Sequence, residues 1–177
     1  MADADPLALT LGPAGGPTIR VEWDAATLGE LNARQRDADE TEGPPSWRLE
    51  TDSVGDGTRG LRVISASFDN GALLGVAALR PPEAAGHDAD AVGAILVSPE
   101  GEASELHHAL LSTEYGPDGQ PRRVGLELYE DPADPPTRVV GDRVAEARRG
   151  PRGEQIGLRL RMEGTSGAGV LELVTPG

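Results

Sequence analysis

The chain has 177 residues, with 30 Asp and Glu against 16 Lys and Arg, and a formal net charge of −14. This acidic balance argues against binding to nucleic acid or to an anionic membrane, since both need a basic protein surface. The absence of cysteine excludes a disulfide framework, a thiolate metal site and a cysteine nucleophile. The amino terminus lacks the basic segment of a signal peptide, and the longest apolar run (72–79) is shorter than the ~20 residues that span a bilayer. We therefore expect a cytoplasmic protein.

The first third of the chain predicts two strands and one helix. The segments PLALTLG (6–12) and TIRVEW (18–23) have apolar residues at every second position, the period of a half-buried strand. The period changes in TLGELNARQRDADE (27–40), where Thr27 and Glu30 have the spacing of a helix capping box. We predict one short helix there.

From residue 47 onward the sequence predicts strands separated by turns. Asn70–Gly71 is a strong hairpin signal, and Pro117–Gly119 predicts a second tight turn. The short spacing of the segments predicts an all-β, antiparallel barrel or sandwich of about ten strands in a single domain (1–177). EGTSGAG (163–169) is interpreted as a connection. The predicted strands of this region are 47–52, 61–69, 72–80, 91–97, 104–115, 122–130, 137–148, 155–162 and 170–174.

The histidines and some carboxylates are candidates for a functional site. In a strand, His107 and His108 would point to opposite faces and could not bind one metal ion together. A site that also used His87 is conceivable, but no metal-ligand spacing supports it, and we predict none.

Glu172, between two leucines, allows two interpretations. It is either a solvent-facing residue of an edge strand or a cavity carboxyl with a raised pKa that serves as an acid or a hydrogen-bond anchor. Glu127 and Tyr129 share one predicted strand face and allow the same two interpretations. The aromatic residues Trp47, Phe68, Tyr115 and Tyr129 could line an apolar pocket or anchor the core.

Four segments carry a resemblance to a known family: FDNGALLGVAALRP, GAILVSPEGEASEL, YGPDGQPRRVGLELYED and GAGVLEL. In this order they resemble the carboxy-terminal half of the lipocalin-like hydroxyneurosporene synthase, or carotenoid hydratase, superfamily and its bacterial relatives. The matching residues are Arg80–Pro81, Asp118–Arg122 and Gly167–Glu172. The family-like region is 58–175, and 1–57 holds the amino-terminal strands and helix.

The resemblance implies a lipocalin-like barrel that holds an apolar ligand in its cavity and uses no cofactor. Proteins of this superfamily resemble two such domains in tandem, whereas this chain has room for one. A site built between two domains would then either be rebuilt in a homodimer or be absent.

The implied function is that of a cofactor-independent enzyme, a cyclase, isomerase or hydratase acting on a polyene or polyketide-like substrate of natural-product biosynthesis. Orientation in a dry cavity and one or two polar groups would supply the catalysis. The alternative is a non-catalytic module that binds an apolar ligand or a protein. An open, aromatic-lined pocket with a buried Glu or His would favour the enzyme, and an interior filled by Leu and Val would favour the module. The candidate catalytic residues are Glu172, His108 and Tyr115, and the candidate substrate-binding residues are Trp47, Phe68, Glu127 and Tyr129.

Overall fold

The prediction of an all-β fold is confirmed. The computed structural model describes residues 7–11, 19–29, 47–49, 60–80, 91–106, 108–131, 133–144, 148–149 and 153–174. They contain one five-residue helix, α1 (Ala25–Gly29), which is too short to cross a membrane. The strands are β1 (Leu7–Leu11), β2 (Ile19–Trp23), β3 (Trp47–Leu49), β4 (Gly60–Phe68), β5 (Leu73–Arg80), β6 (Ala91–Val97), β7 (Ala103–Leu106), β8 (His108–Tyr115), β9 (Pro121–Tyr129), β10 (Thr137–Arg143), β11 (Arg148–Arg149), β12 (Gly153–Met162) and β13 (Thr165–Val174).

The large sheet forms a nearly closed, lipocalin-like barrel. Its strands lie in the order β7-β6-β5-β4-β13-β12-β10-β9-β8, all pairs are antiparallel, and β11 pairs with β12. The two end strands, β7 and β8, are consecutive in the chain and are separated only by residue 107. The segment predicted as one strand (104–115) therefore pairs with β6 through its first part and with β9 through its second. This double pairing brings the two ends of the sheet together.

The barrel interior is filled by aliphatic side chains. Alternate residues of each strand point inward, and those of the barrel form one contiguous buried cluster. Leu74, Ile156, Leu158, Leu160 and Leu171 are each at most 1% exposed. Such an interior is a packed core.

A small sheet, β1-β2-β3, covers the outer faces of β4, β5 and β6 and forms a second core with them. Trp23 lies on Gly75, where an added Cβ would be 2.7 Å from the indole Cε2. The Trp23 indole N–H also donates a buried hydrogen bond of 2.9 Å to the Ser65 hydroxyl. Because both faces of β4 and β5 are covered, these strands are buried almost continuously.

Both hairpin predictions are confirmed. Gly71 and Gly119 occupy the turns with φ of 93° and 79°, a conformation that glycine adopts without strain. The Asp118 carboxylate accepts the Gln120 backbone N–H at 3.0 Å. This hydrogen bond, followed by a hydrogen bond from Arg143, lowers the pKa of Asp118 below its ordinary value.

Several boundary predictions were wrong. The strand predicted at 137–148 ends at Arg143, and Arg148 belongs to the separate strand β11. The helix begins at Ala25, two residues before the predicted start, and its predicted continuation (30–40) lies outside the described residues. The connection predicted at 163–169 is mostly strand, because Glu163 and Gly164, with φ of 48° and 82°, make the turn alone. A turn of two residues with positive φ matches the twist of a hairpin. Gly167 and Gly169, which suggested a loop, belong to β13.

Replacement of Gly75 by Ala should destabilise the protein by about 1–3 kcal/mol, because the new Cβ would overlap the Trp23 ring and force it to move. Urea unfolding would measure the effect. Gly60→Ala is the matched control, since a Cβ at that strand position would meet nothing closer than the Val174 carbonyl oxygen at 3.7 Å. Equal stabilities of the two variants would contradict the close packing of the two sheets.

Candidate functional site

The barrel wall has a gap beside β8. The ladder between β6 and β7 joins Ala94–Val97 to Ala103–Leu106, so it leaves out the first three residues of β6. β8 adjoins β6, but in the described part of the chain its hydrogen-bonded ladder is with β9. The start of β6 and the outer edge of β8 thus form a seam in the barrel.

A cleft of about 680 Å³ lies against β8, β9 and β10 and reaches this seam. Residues from both faces of β8 line it, so the cleft extends around the edge of that strand. Val92 of β6 borders it on the other side of the seam. The lining residues are Val92, Ala109, Leu110, Leu111, Ser112, Thr113, Gly125, Leu126, Glu127, Arg138, Val139 and Val140.

Two exposed apolar side chains form walls of the cleft on the outer face of the barrel. Leu110 on β8 is 49% exposed, and Val140 on β10 is 41% exposed. Gly125 of β9 lies between these strands, paired with Ser112 on one side and Val140 on the other. Because Gly125 has no side chain, the sheet surface beside Val140 is low, and Leu110, which is paired with Glu127, lies diagonally across Gly125. The result is an apolar groove that is open to solvent.

A polar cluster lies along one border of the groove. The Tyr129 hydroxyl donates a hydrogen bond of 3.0 Å to Glu127 Oε2, and Arg138 Nη2 lies 3.9 Å from Glu127 Oε1. The His108 and Tyr129 rings are tilted against each other with centroids 4.8 Å apart. The hydrogen bond to Glu127, followed by desolvation and the Glu127 charge, raises the pKa of Tyr129, while Arg138 lowers it. In this pair the Tyr129 hydroxyl is the hydrogen-bond donor and the Glu127 carboxyl group is the acceptor.

A buried arginine connects the interior to the cleft. Arg62, on the inner face of β4, is 6% exposed, and its Nη1 donates a hydrogen bond of 2.7 Å to the Thr113 hydroxyl on β8. Thr113 is one of the lining residues. Since β4 and β8 are not neighbours in the sheet, this bond crosses the barrel interior. It holds the edge strand of the seam in place.

The structure brings together three of the predicted site residues. His108, Glu127 and Tyr129 lie side by side on the outer face of β8 and β9, and the shared face predicted for Glu127 and Tyr129 is confirmed. Glu127 lines the cleft directly. Tyr129 contacts Glu127 and His108 contacts Tyr129, but neither Tyr129 nor His108 lines the cleft.

The other predicted site residues lie elsewhere. Glu172 is 6% exposed and paired with Val63 on the covered outer face of the barrel. Its strand, β13, lies between β4 and β12, so the edge-strand interpretation was wrong. Phe68 is 3% exposed within the interior cluster, and Tyr115 is 48% exposed at the bulged end of β8. None of these three lines the cleft.

Three further residues from the sequence analysis cannot be placed in the site. Trp47 pairs with Trp23 in the small sheet, but its side chain lies outside the described part of the structure. His87 and His107 also lie outside it.

Two apolar doublets in the sequence indicate the cleft, although the candidate site residues were chosen among polar and aromatic side chains. An amphipathic strand with one buried face has single apolar residues at alternate positions. The doublets Leu110–Leu111 and Val139–Val140 break this pattern, so one member of each has to face outward. Arg62, within an apolar run, gave no comparable signal, because its partner Thr113 is distant in sequence.

No known family model and no characterised protein matches the chain in sequence. Solved structures match its fold, among them the following two. One is a candidate AttH protein from Nitrosomonas europaea, with a TM-score of 0.56 and 15% identity over 73% of this chain and 43% of that one. The other is kievitone hydratase from Nectria haematococca, with a TM-score of 0.51 and 11% identity over 73% of this chain and 42% of that one. The match thus spans less than half the length of either structure.

Replacement of Thr113 by Val should destabilise the protein by about 1.5–3 kcal/mol, because the buried Arg62 guanidinium loses a hydrogen bond to the hydroxyl. Chemical denaturation would measure the change. Ser112→Ala is the control on the same strand, where an exposed and long contact of 3.4 Å to the Gly125 carbonyl is lost. If both variants lost the same stability, Arg62 would not anchor the seam.

The pKa of Tyr129 should fall toward its ordinary value of 10.0 when Glu127 is replaced by Ala, because the hydrogen bond and the negative charge are both removed. Glu127→Gln, which keeps an acceptor without the charge, should give a smaller fall. In a Tyr115→Phe background Tyr129 is the remaining tyrosine, so absorbance near the phenolate band reports it alone. Arg138→Gln should raise the pKa of Tyr129, because a positive charge that lowers it is removed. If the pKa moved in the same direction in all three variants, the described cluster would be contradicted.

Proposed function

We propose that the protein binds an apolar small molecule in the cleft over β8, β9 and β10. The observation that carries this proposal is the pair of exposed apolar walls, Leu110 and Val140, on either side of Gly125. The cleft volume of about 680 Å³ falls within the range of roughly 300–1,000 Å³ that is typical of small-molecule sites. Burial of the two side chains by a ligand would remove apolar surface from water.

The filled interior supports binding at this cleft over binding inside the barrel. The inward-facing side chains of the described strands form a contiguous aliphatic cluster, and its aromatic member, Phe68, is part of that packing. A ligand in the interior would have to displace this core. An interior filled by aliphatic side chains leaves no room for a substrate, and it therefore favours the non-catalytic alternative, a ligand-binding module.

The polar cluster supports a second candidate, a cofactor-independent cyclase, isomerase or hydratase acting on a polyene or polyketide-like molecule. Glu127 borders the apolar groove, and the Tyr129 hydroxyl beside it donates a hydrogen bond to its carboxyl group. The resemblance to the hydroxyneurosporene synthase superfamily and the fold shared with a hydratase support this candidate. The same proposal includes membership of that superfamily and a role in natural-product biosynthesis. It also includes a cytoplasmic location and a homodimeric state.

Replacement of Leu110 or Val140 by Ser should weaken binding of the neutral fluorescent probe N-phenyl-1-naphthylamine. A loss of about 1 kcal/mol of apolar contact corresponds to a roughly fivefold higher Kd. Val144→Ser is the matched control, since Val144 is 50% exposed but does not line the cleft. Equal affinities of all three variants and the unmodified protein would refute the proposed site.

The enzyme candidate has its own test. Organic extraction of the protein purified from its host would supply any bound molecule for a turnover assay. Glu127→Gln should then reduce kcat while leaving the Kd of that molecule nearly unchanged. Unchanged turnover in this variant would exclude Glu127 as a catalytic residue and leave the binding function.

A further inference from the structure

The groove is bordered by cationic side chains in a strongly acidic protein. Strand alternation places four of the 16 basic residues on the outer faces of β9, β10 and β12, namely Arg123, Arg138, Arg159 and Arg161. Arg123 is engaged by Asp142 at 2.9 Å. The other three are exposed. Glu127 and Asp142 lie on the same outer faces, so four arginines against two carboxylates give these faces a net positive charge, opposite in sign to that of the whole chain.

Two of these arginines flank an apolar wall of the groove. Arg161 on β12 is directly opposite Val140 on β10, which places their Cβ atoms about 5 Å apart. Arg138 lies two residues before Val140 on the same face of β10 and lines the cleft. Both guanidiniums can therefore reach a group that lies over Val140.

Neither arginine is strongly occupied by the described residues. Arg138 is 76% exposed, and its contact with Glu127 is long, at 3.9 Å. Arg161 makes no ion pair with any described residue. Glu163 follows on the chain, but its carboxylate accepts a hydrogen bond from the Thr137 hydroxyl at 3.4 Å. Two guanidiniums are thus available beside an apolar surface.

We propose that the ligand of the cleft is an amphiphilic carboxylate. Its apolar body lies over Gly125 between Leu110 and Val140, and its carboxylate lies between Arg138 and Arg161. Guanidinium groups match a carboxylate with paired hydrogen bonds. The distance from β8 to β12 is three strand spacings, or about 14 Å, which suits a chain of moderate length. This inference rests on the proposed binding function.

The negative charge of Glu127 sets the orientation of the ligand. Glu127 lines the cleft next to Leu110, with which it is paired across β8 and β9. Its charge disfavours a carboxylate at that end, although the Tyr129 hydroxyl and Arg138 partly compensate it. The ligand carboxylate is therefore placed on the β12 side of Val140, where Arg161 contributes a positive charge.

Competition with the neutral probe tests the ligand class. Dodecanoate and dodecanol have the same chain and differ in the end group, and we expect dodecanoate to displace the probe at roughly tenfold lower concentration. Arg161→Gln should remove most of this difference and leave dodecanol unchanged. Arg149→Gln is the charge-matched control. Arg149 lies opposite Glu154 in the β11–β12 ladder, near the other end of β12, and does not line the cleft.

The outcomes separate this inference from the proposed function. Equal displacement by the acid and the alcohol, with sensitivity to Leu110→Ser, would overturn the carboxylate and leave apolar binding intact. Absence of probe binding would overturn both. Because the chain has a net charge of −14, we expect no cosedimentation with phosphatidylglycerol vesicles. Cosedimentation that depends on Arg161 would show that the anion belongs to a lipid surface and would overturn the proposal of a free amphiphilic ligand.

Discussion

β7 and β8 form ladders with β6 and β9, respectively, although only residue 107 lies between them. The two ends of the large sheet are therefore joined by the chain itself, and the sheet has to curve into a barrel. Curvature removes the long open edges that invite strand pairing between molecules. It also leaves the seam at β6 and β8, where the ladder changes from one neighbour to the other. Arg62 and Thr113 hold this seam from the inside.

The outer face of the barrel is covered on one side and exposed to solvent on the other. Over β4, β5 and β6, the small sheet covers the apolar residues, and Trp23 fixes it through Gly75 and Ser65. Over β8, β9 and β10, no described element covers the apolar residues Leu110 and Val140. Apolar side chains that remain exposed together on one face often mark a binding surface. The same kind of outward apolar residue thus builds a core on one side and a candidate site on the other.

Much of the fold could be predicted because turns and alternation are local signals. Asn70–Gly71 and Asp118–Gly119 specified their hairpins, and the period of two specified most of the strands. The β13 region was misjudged because its glycines suggested a loop. Gly167 is in fact required by packing, since a Cβ there would lie 2.5 Å from the Phe68 ring. Close contact between neighbouring strands cannot be derived from one strand alone.

The candidate site was only partly predictable, because it depends on which face of each strand points inward. Glu127 and Tyr129 were found, since their shared face follows from spacing. Glu172 was open to an edge-strand and a cavity interpretation, and the edge-strand interpretation is wrong, because β13 is a central strand with a covered outer face. The partnership of Arg62 and Thr113 joins residues 51 positions apart. Such a contact requires the closed barrel, which no local pattern specifies.

Methyl-resolved NMR of the protein during titration with N-phenyl-1-naphthylamine would test the location of the ligand most directly. If the ligand lies in the groove, the methyl signals of Leu110 and Val140 should shift on titration, and those of Ile156 and Leu158 in the packed interior should not. Shifts of the interior methyl groups without any change at Leu110 and Val140 would contradict the account and place the ligand inside the barrel.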